Sequence, residues 1–427
     1  MRRRVTETLV ALIVGVVGMS SASGQTLPTP EQVGFDEAVR RALEKNPDVA
    51  EAAQAILRAE TLLQQARTVF RPTLDASVTT TLLDAERGFD EFVTQPRTQS
   101  LMSGSLSYPV LAASRWAQRA QARDQIRVAR LEVGETRRQV ALATGQSYLA
   151  VIVQQRLVEV NMRARENAQA HVDYARTRLE AGAGSKLNEL RASQELATDE
   201  VLVEDARLAL RRAQEALGVL LAADAPVDAA AEPAFQIVMT IPPEEQWLTT
   251  RADVQLFSAQ IDAAERVYRD SWRDWVPTAT ASFEPQYVTP AGLFQPSRTW
   301  RGFVSLSVPI FDGGVRRATK REREVAVETA RIQLTDVELR ARAELRAAQA
   351  AIESTERGLA QARLAAQHAT DVLRITDLAF RAGATTNIEL IDAQREARDA
   401  DTAAAQAEDR VRQARLDLLV ALGRFPQ

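Results

Sequence analysis

The chain has 427 residues, 26% of them charged, a formal net charge of −4 and no cysteine. Disulfides, thiolate metal sites and a lipid-anchored N-terminal cysteine are thereby excluded, and the acidic balance argues against nucleic acid despite abundant arginine. Its two histidines, His171 and His368, lie far apart in helical runs and are expected as solvated helix residues. Zinc chemistry and Ser-His-Asp catalysis therefore have little to work with, and no metal site or cofactor is expected.

In chain order, "MRRRVTETLVALIVGVVGMSSASG" has a basic start, a short apolar run and small residues at its end, so residues 1–24 read as a secretory signal peptide. Its removal takes away three Arg and one Glu and moves the net charge from −4 to −6. A short helix is predicted over Phe35–Lys45, then a helix of about 20 residues ending at Phe70-Arg71-Pro72. From Thr73 the period changes to two. Leu74, Ala76, Val78 and Leu82 fall on one side, Thr73, Asp75, Ser77, Thr79 and Thr81 on the other.

Strands are predicted at about 73–83 and 100–108, followed by a helical hairpin over 112–222 whose first arm runs to Ala181. At about 1.5 Å per residue, an arm of roughly seventy residues is about 100 Å long. A Pro/Ala-rich linker spans 223–243. Beyond it come a short helix at Glu244–Thr250, a helix ending at Trp275-Val276-Pro277, strands at about 278–288 and 299–308, and a second helical hairpin over 315–423. No stretch after residue 24 reaches eighteen apolar residues, so any membrane entry must be by strands.

The second half repeats the first. "FRPT" at Phe70 returns as "WVPT" at Trp275, "LSYPV" at Leu106 as "LSVPI" at Leu306, and "EAGAGSKLNEL" at Glu180 as "RAGATTNIELI" at Arg381. Ordered echoes at offsets of 200 to 205 define two tandem repeats, 25–222 and 244–427, and a mainly α fold with membrane β-strands. Strands of this length suit a tilted outer-membrane barrel, with Tyr108, Tyr287, Phe294 and Trp300 as candidates for its aromatic girdle. Pro72, Pro109, Pro277 and Pro309 are expected at the four strand–helix junctions. Four strands cannot close a barrel alone, and open edges are not tolerated in lipid, so several copies must share one ring.

With "FDEAVRRALEKNPDVAEA" at Phe35–Ala52, this doubled plan resembles the TolC-like outer-membrane efflux protein family. The resemblance implies a homotrimer in the cell outer membrane, with a twelve-stranded barrel in lipid and a twelve-helix periplasmic extension. It also implies docking to a periplasmic adaptor (a membrane fusion protein) and an inner-membrane pump or ABC exporter. The duct would serve efflux or type I secretion passively and would not be an enzyme. Under the resemblance, Gly182, Gly184, Ser185, Gly383, Thr385 and Thr386 form adaptor-contacting tips, and Glu389 and Asp392, with Asn188 in the first repeat, form a periplasmic gate. The residues also allow Thr386-x-x-Glu389 as a capping box and pairing of Asp392 with Arg395 or Arg398. The alternatives are a periplasmic adaptor or a structural coiled coil with no pore.

Overall fold

The computed structural model describes residues 30–89, 92–235, 242–291 and 295–425. The segment read as a signal peptide and the girdle candidate Phe294 lie outside these residues. Helices α1 (Phe35–Lys45) and α2 (Pro47–Thr68) lead into strand β2 (Thr73–Leu82). Asn46 starts α2: its side chain accepts the Asp48 N–H at 2.9 Å, and Pro47 occupies the first helical position, where no N–H is needed.

A small hairpin of β3 (Arg87–Phe89) and β4 (Phe92–Gln95) stands between β2 and β5 (Thr98–Leu111). Helices α3 (Ala113–Glu180) and α4 (Lys186–Leu220) form the first hairpin. Then α5 (Glu244–Thr250), α6 (Ala252–Arg269) and a 3-10 turn (Asp270–Trp275) lead to β7 (Thr278–Thr289) and β8 (Arg298–Ser307). The second hairpin is α7 (Val315–Arg381) and α8 (Asn387–Ala421).

The helices make one layer. Along the half nearer the strands the neighbours run α2, α3, α6, α7; along the far half they run α4, α3, α8, α7. No single thick core forms. Alanines such as Ala141, Ala168, Ala192 and Ala341 are almost wholly buried, so the backbones approach closely. At the waist, Tyr148 is fully buried and donates to the carbonyls of Val33 and Ala231 at 3.1 and 2.8 Å. There β1 (Glu31–Val33) pairs in parallel with β6 (Val227–Ala229), a strand within the stretch read as linker. Three-residue strands are too short to leave a period in the sequence.

Pro109 is not at a junction. It lies inside β5 opposite Thr280, and the register slips between Pro109 and Leu111. A proline has no N–H for the ladder, so a bulge is where a strand accommodates one. Pro72 and Pro277 each precede the first residue of a strand, and Pro309 lies between β8 and α7.

Candidate functional site

The larger sheet has the order β2-β5-β7-β8, antiparallel throughout. Its register collects side chains by parity. Leu74, Val78, Met102, Leu106, Tyr108, Phe283, Tyr287, Trp300, Val304 and Leu306 share one face and are all exposed. The opposite face carries Thr73, Asp75, Ser77, Ser103, Ser107, Ser282, Glu284, Gln286, Arg301 and Ser305. Cross-strand hydroxyl pairs (Thr73–Ser107 at 2.7 Å, Ser77–Ser103 at 2.8 Å) and a Glu284–Arg301 ion pair at 2.6 Å knit that polar side. Phe303 is its aromatic exception.

The aromatics fall at two levels of the apolar face. Tyr108 pairs with Ala281 near the helices, whereas Trp300, opposite Pro285, and Tyr287 sit four and six residues further along, about 13 and 20 Å at 3.3 Å per residue. Exposed Trp116, Trp272, Trp275, Ile310 and Phe311 extend the helix-proximal level, and the sequence reading missed them. Their signal was available: three of five tryptophans flank the strand–helix junctions.

At the opposite end, both hairpins reverse by the same device. Gly182 (φ 72°) and Gly383 (φ 78°) adopt the left-handed conformation. Ala183 N–H donates to Arg178 O at 2.9 Å and Ala384 N–H to Ala379 O at 2.8 Å, which satisfies carbonyls at each helix end. Gly184 is fixed for a different reason. A Cβ there would lie 2.8 Å from Leu179 N and 3.0 Å from the Arg178 carbonyl carbon. Ser185 caps α4 by accepting the Asn188 N–H at 3.2 Å. Thr386 and Glu389 form both bonds of a capping box, at 3.4 and 3.2 Å. Thr385, with Gly182–Ser185, Asn188, Thr386 and Arg191, lines a cavity of about 620 Å³ between the turns.

Asp392 is exposed on α8, and among the described residues neither Arg395 nor Arg398 bonds to it. Both arginines reach across to α4. Arg395 Nε donates to the two Glu195 oxygens at 3.0 and 2.9 Å, and Arg398 Nη1 donates to Asp199 at 2.7 Å. Glu195 and Asp199 are buried. Burial pushes the Asp199 carboxyl up, against the pull of Arg398, and the Glu195 carboxylate raises the Arg395 guanidinium. These four residues tie the hairpins together just behind the tip. The spacing that finds them is about 200, one full repeat, not three or four.

His171 is also misread as a solvated residue: it is buried, with Nε2 2.8 Å from Asn387 Oδ1 at the start of α8. His368 is exposed. No cluster of three or more metal-ligating side chains occurs among the described residues, and no described helix is long and apolar enough to cross a membrane.

An open sheet with one oily face, continued by paired helices with glycine tips, is matched by the family model described as "Outer membrane efflux protein" over residues 38–223 and 245–424. The chain belongs to the outer membrane efflux protein family. It is a channel-tunnel protein of the outer membrane and has the repeat architecture of that family. Solved structures share the fold. The CmeC outer membrane channel of Campylobacter jejuni is 15% identical, covering 97% of this chain and 94% of its own, with a TM-score of 0.75. The MtrE outer membrane channel of Neisseria gonorrhoeae is 17% identical over 92% and 90%, with a TM-score of 0.74. The outer membrane protein VceC of Vibrio cholerae is 17% identical over 91% and 96%, with a TM-score of 0.71. No curated protein sequence matches the chain. Family and structural neighbours are channel proteins rather than enzymes.

Proposed function

We propose that three copies of this chain close their sheets into a twelve-stranded barrel and their helices into a tunnel, the passive exit duct of an efflux or type I secretion assembly. One observation carries this reading: the sheet has a continuous apolar face but ends in two open edges, β2 and β8. Each unpaired backbone group in lipid costs several kcal/mol, so neighbours must fill those edges. The strands alternate in direction, and β8 of one copy meets β2 of the next in the antiparallel sense that the sheet already uses. The helical layer offers matching flanks. Along the far half, Leu364, Val372 and Ile375 on α7, and Val201, Leu208 and Val219 on α4, are exposed on its two outer helices.

In this ring the polar strand face lines the lumen. The tips at Gly182–Ser185 and Gly383–Thr386 meet a periplasmic adaptor, and an inner-membrane pump or ABC exporter supplies the energy. Asp392, one per copy and without an ion-pair partner among the described residues, narrows the entrance with Glu389 and Asn188 around it. Glu389 is held by its cap, so Asp392 is the freer charge. Opening is a relative movement of the two hairpins, resisted by the Glu195–Arg395 and Asp199–Arg398 ties.

Purified protein in planar bilayers should give stepwise currents, and cross-linking should stop at three chains. Asp392→Ala should raise the conductance and lower the preference for cations. A monomer that carries no current in either form would overturn the duct.

A further inference from the structure

The apolar ribbon of the sheet does not stop where the strands stop. On β8 and beyond it, Val304, Leu306, Val308 and Ile310 follow one another at every second residue, and all are exposed. Ile310 and Phe311 are each 88% exposed. Trp116 at the start of α3 and Trp272 and Trp275 in the 3-10 turn are exposed at the same level. Tryptophan favours the headgroup layer of a membrane, where its ring lies in apolar surroundings and its N–H stays wet.

Cations are gathered among these rings. The Arg316 guanidinium lies 4.6 Å from the ring centre of Trp275, Arg273 lies 5.6 Å from that of Trp272, and Lys320 Nζ lies 5.7 Å from that of Tyr268. The acids of this level are engaged inside the fold. Asp312 accepts from Arg316 Nε at 2.7 Å, Asp274 accepts from Arg323 at 2.8 Å, and Asp270 faces Arg273 at 3.5 Å and Gln121 at 3.4 Å. By contrast, Arg71 after α2, Arg115 and Arg119 on α3, and Arg317 and Lys320 on α7 are exposed, with no ion-pair partner among the described residues. No carboxylate stands on α3 before Asp124 or on α7 before Glu322, although every other described α-helix has one in its first turn. Arginine there meets the positive end of the helix dipole, a placement that a nearby anion offsets. A chain of net charge −4 thus presents a positive collar beside its apolar sheet face.

We propose that this collar binds the phosphates of anionic phospholipids in the membrane leaflet nearer the helices. The exposed indole and phenyl rings enter the headgroup layer, and Arg71, Arg115, Arg119, Arg317 and Lys320 meet lipid phosphate there. Two features choose the occupant together. Charge complementarity selects an anion, and continuity with the apolar sheet face selects one that carries acyl chains. Guanidinium groups suit it, because their planar forks bind phosphate oxygens in pairs. The contact follows from the chain's place in the outer membrane and does not depend on whether the duct conducts.

Full-length protein reconstituted in phosphatidylcholine vesicles, with a trace of spin-labelled phosphatidylglycerol or spin-labelled phosphatidylcholine, tests it. The unaltered chain should immobilise the anionic lipid several times more strongly, and the preference should shrink as salt rises. Each collar cation removed should lower the preference by up to about fivefold. Arg115→Gln with Arg119→Gln, and Arg317→Gln with Lys320→Gln, should therefore each abolish most of it. Arg115→Lys with Arg119→Lys keeps the charge and should retain most of it. Arg163→Gln, exposed about 70 Å further along α3, should change nothing. Equal immobilisation of the two lipids by the unaltered chain would overturn the collar, and that comparison decides alone where a variant fails to insert. A full preference surviving in both glutamine pairs would overturn it too. Inorganic phosphate that removes the preference at an ionic strength where chloride does not would reassign the collar to a free anion and overturn the lipid assignment. A lipid preference in a protein giving no current would instead overturn the duct and leave the collar standing.

Discussion

Arg395 on α8 holds the buried carboxylate of Glu195 on α4 through its Nε, and Arg398 one turn further holds Asp199. Side-chain exposure is 2% for Glu195 and 5% for Asp199, so neither acid can turn to water if its arginine is lost. Arg398→Ala is expected to destabilise the protein by about 3 kcal/mol, because it strands a buried charge. Arg398→Gln with Asp199→Asn should lose much less, since the charge leaves with its partner. A double-mutant cycle in urea checks the coupling, and bilayer currents check the second consequence, a larger open fraction in Arg398→Ala. Independent effects of the two positions would remove the tie from the account.

Much of the plan is legible in the residues. The switch from period 3.6 to period two at Thr73, with Leu74, Val78 and Leu82 against Asp75 and Ser77, announces a half-wet strand, and echoes at a constant offset announce the second copy of it. Glu389 shows its cap through Thr386 three residues earlier. What stayed hidden depends on contacts between repeats. Arg395 and Arg398 stand three and six residues from Asp392, but their carboxylate partners lie about 200 residues away. His171 sits among alanines and arginines that give α3 little amphipathic contrast, so its burial follows from where α8 begins. Pro109 looked like a terminator because a lone sequence does not show that a bulge has absorbed it.

The apolar sheet face makes a prediction that its parity fixes. Val304→Arg places a charge on the lipid side and should lower barrel stability by about 2–4 kcal/mol if the site is near mid-membrane. Ser305→Arg, one residue on and facing the polar side, should fold and insert normally while reducing conductance. Heat-resistant migration on gels together with bilayer recording separates the two. Equal damage from both would mean that the two faces are not lipid and lumen.

Asp409 on α8 is buried, with Oδ2 accepting from Gln413 at 2.7 Å and Oδ1 left without a partner. Burial raises its pKa from 3.8 to about 6. The folded chain therefore keeps a proton there that the unfolded chain has already released, and stability falls as the pH rises from about 4 to 6. Above that range the full penalty applies. Asp409→Asn should raise stability by ~1–2 kcal/mol at pH 7.5 and by almost nothing at pH 4. Urea midpoints at the two pH values decide it; an equal gain at both would assign the effect to packing and not to ionisation.

The two repeats end their last helices alike, with one telling difference. After α8, Gly423 takes φ 67°, and Arg424 N–H returns to Leu419 O at 2.9 Å. After α4 the equivalent position is Ala222, at φ 50°, with Ala223 N–H returning to Gly218 O at 2.9 Å. Alanine in this left-handed cap carries a steric penalty on the order of 1 kcal/mol that glycine avoids, although glycine loses more chain entropy on folding. At a helix-ending position the steric term is the larger. Ala222→Gly is therefore expected to stabilise the first repeat by about 0.5–1 kcal/mol, and Gly423→Ala to destabilise the second by about 1 kcal/mol, since its Cβ would also approach Arg251 Cγ to 3.4 Å. Thermal midpoints of the two variants, measured beside the unaltered chain, should move in opposite directions. A fall for Ala222→Gly would show that this turn is held by something other than its backbone conformation.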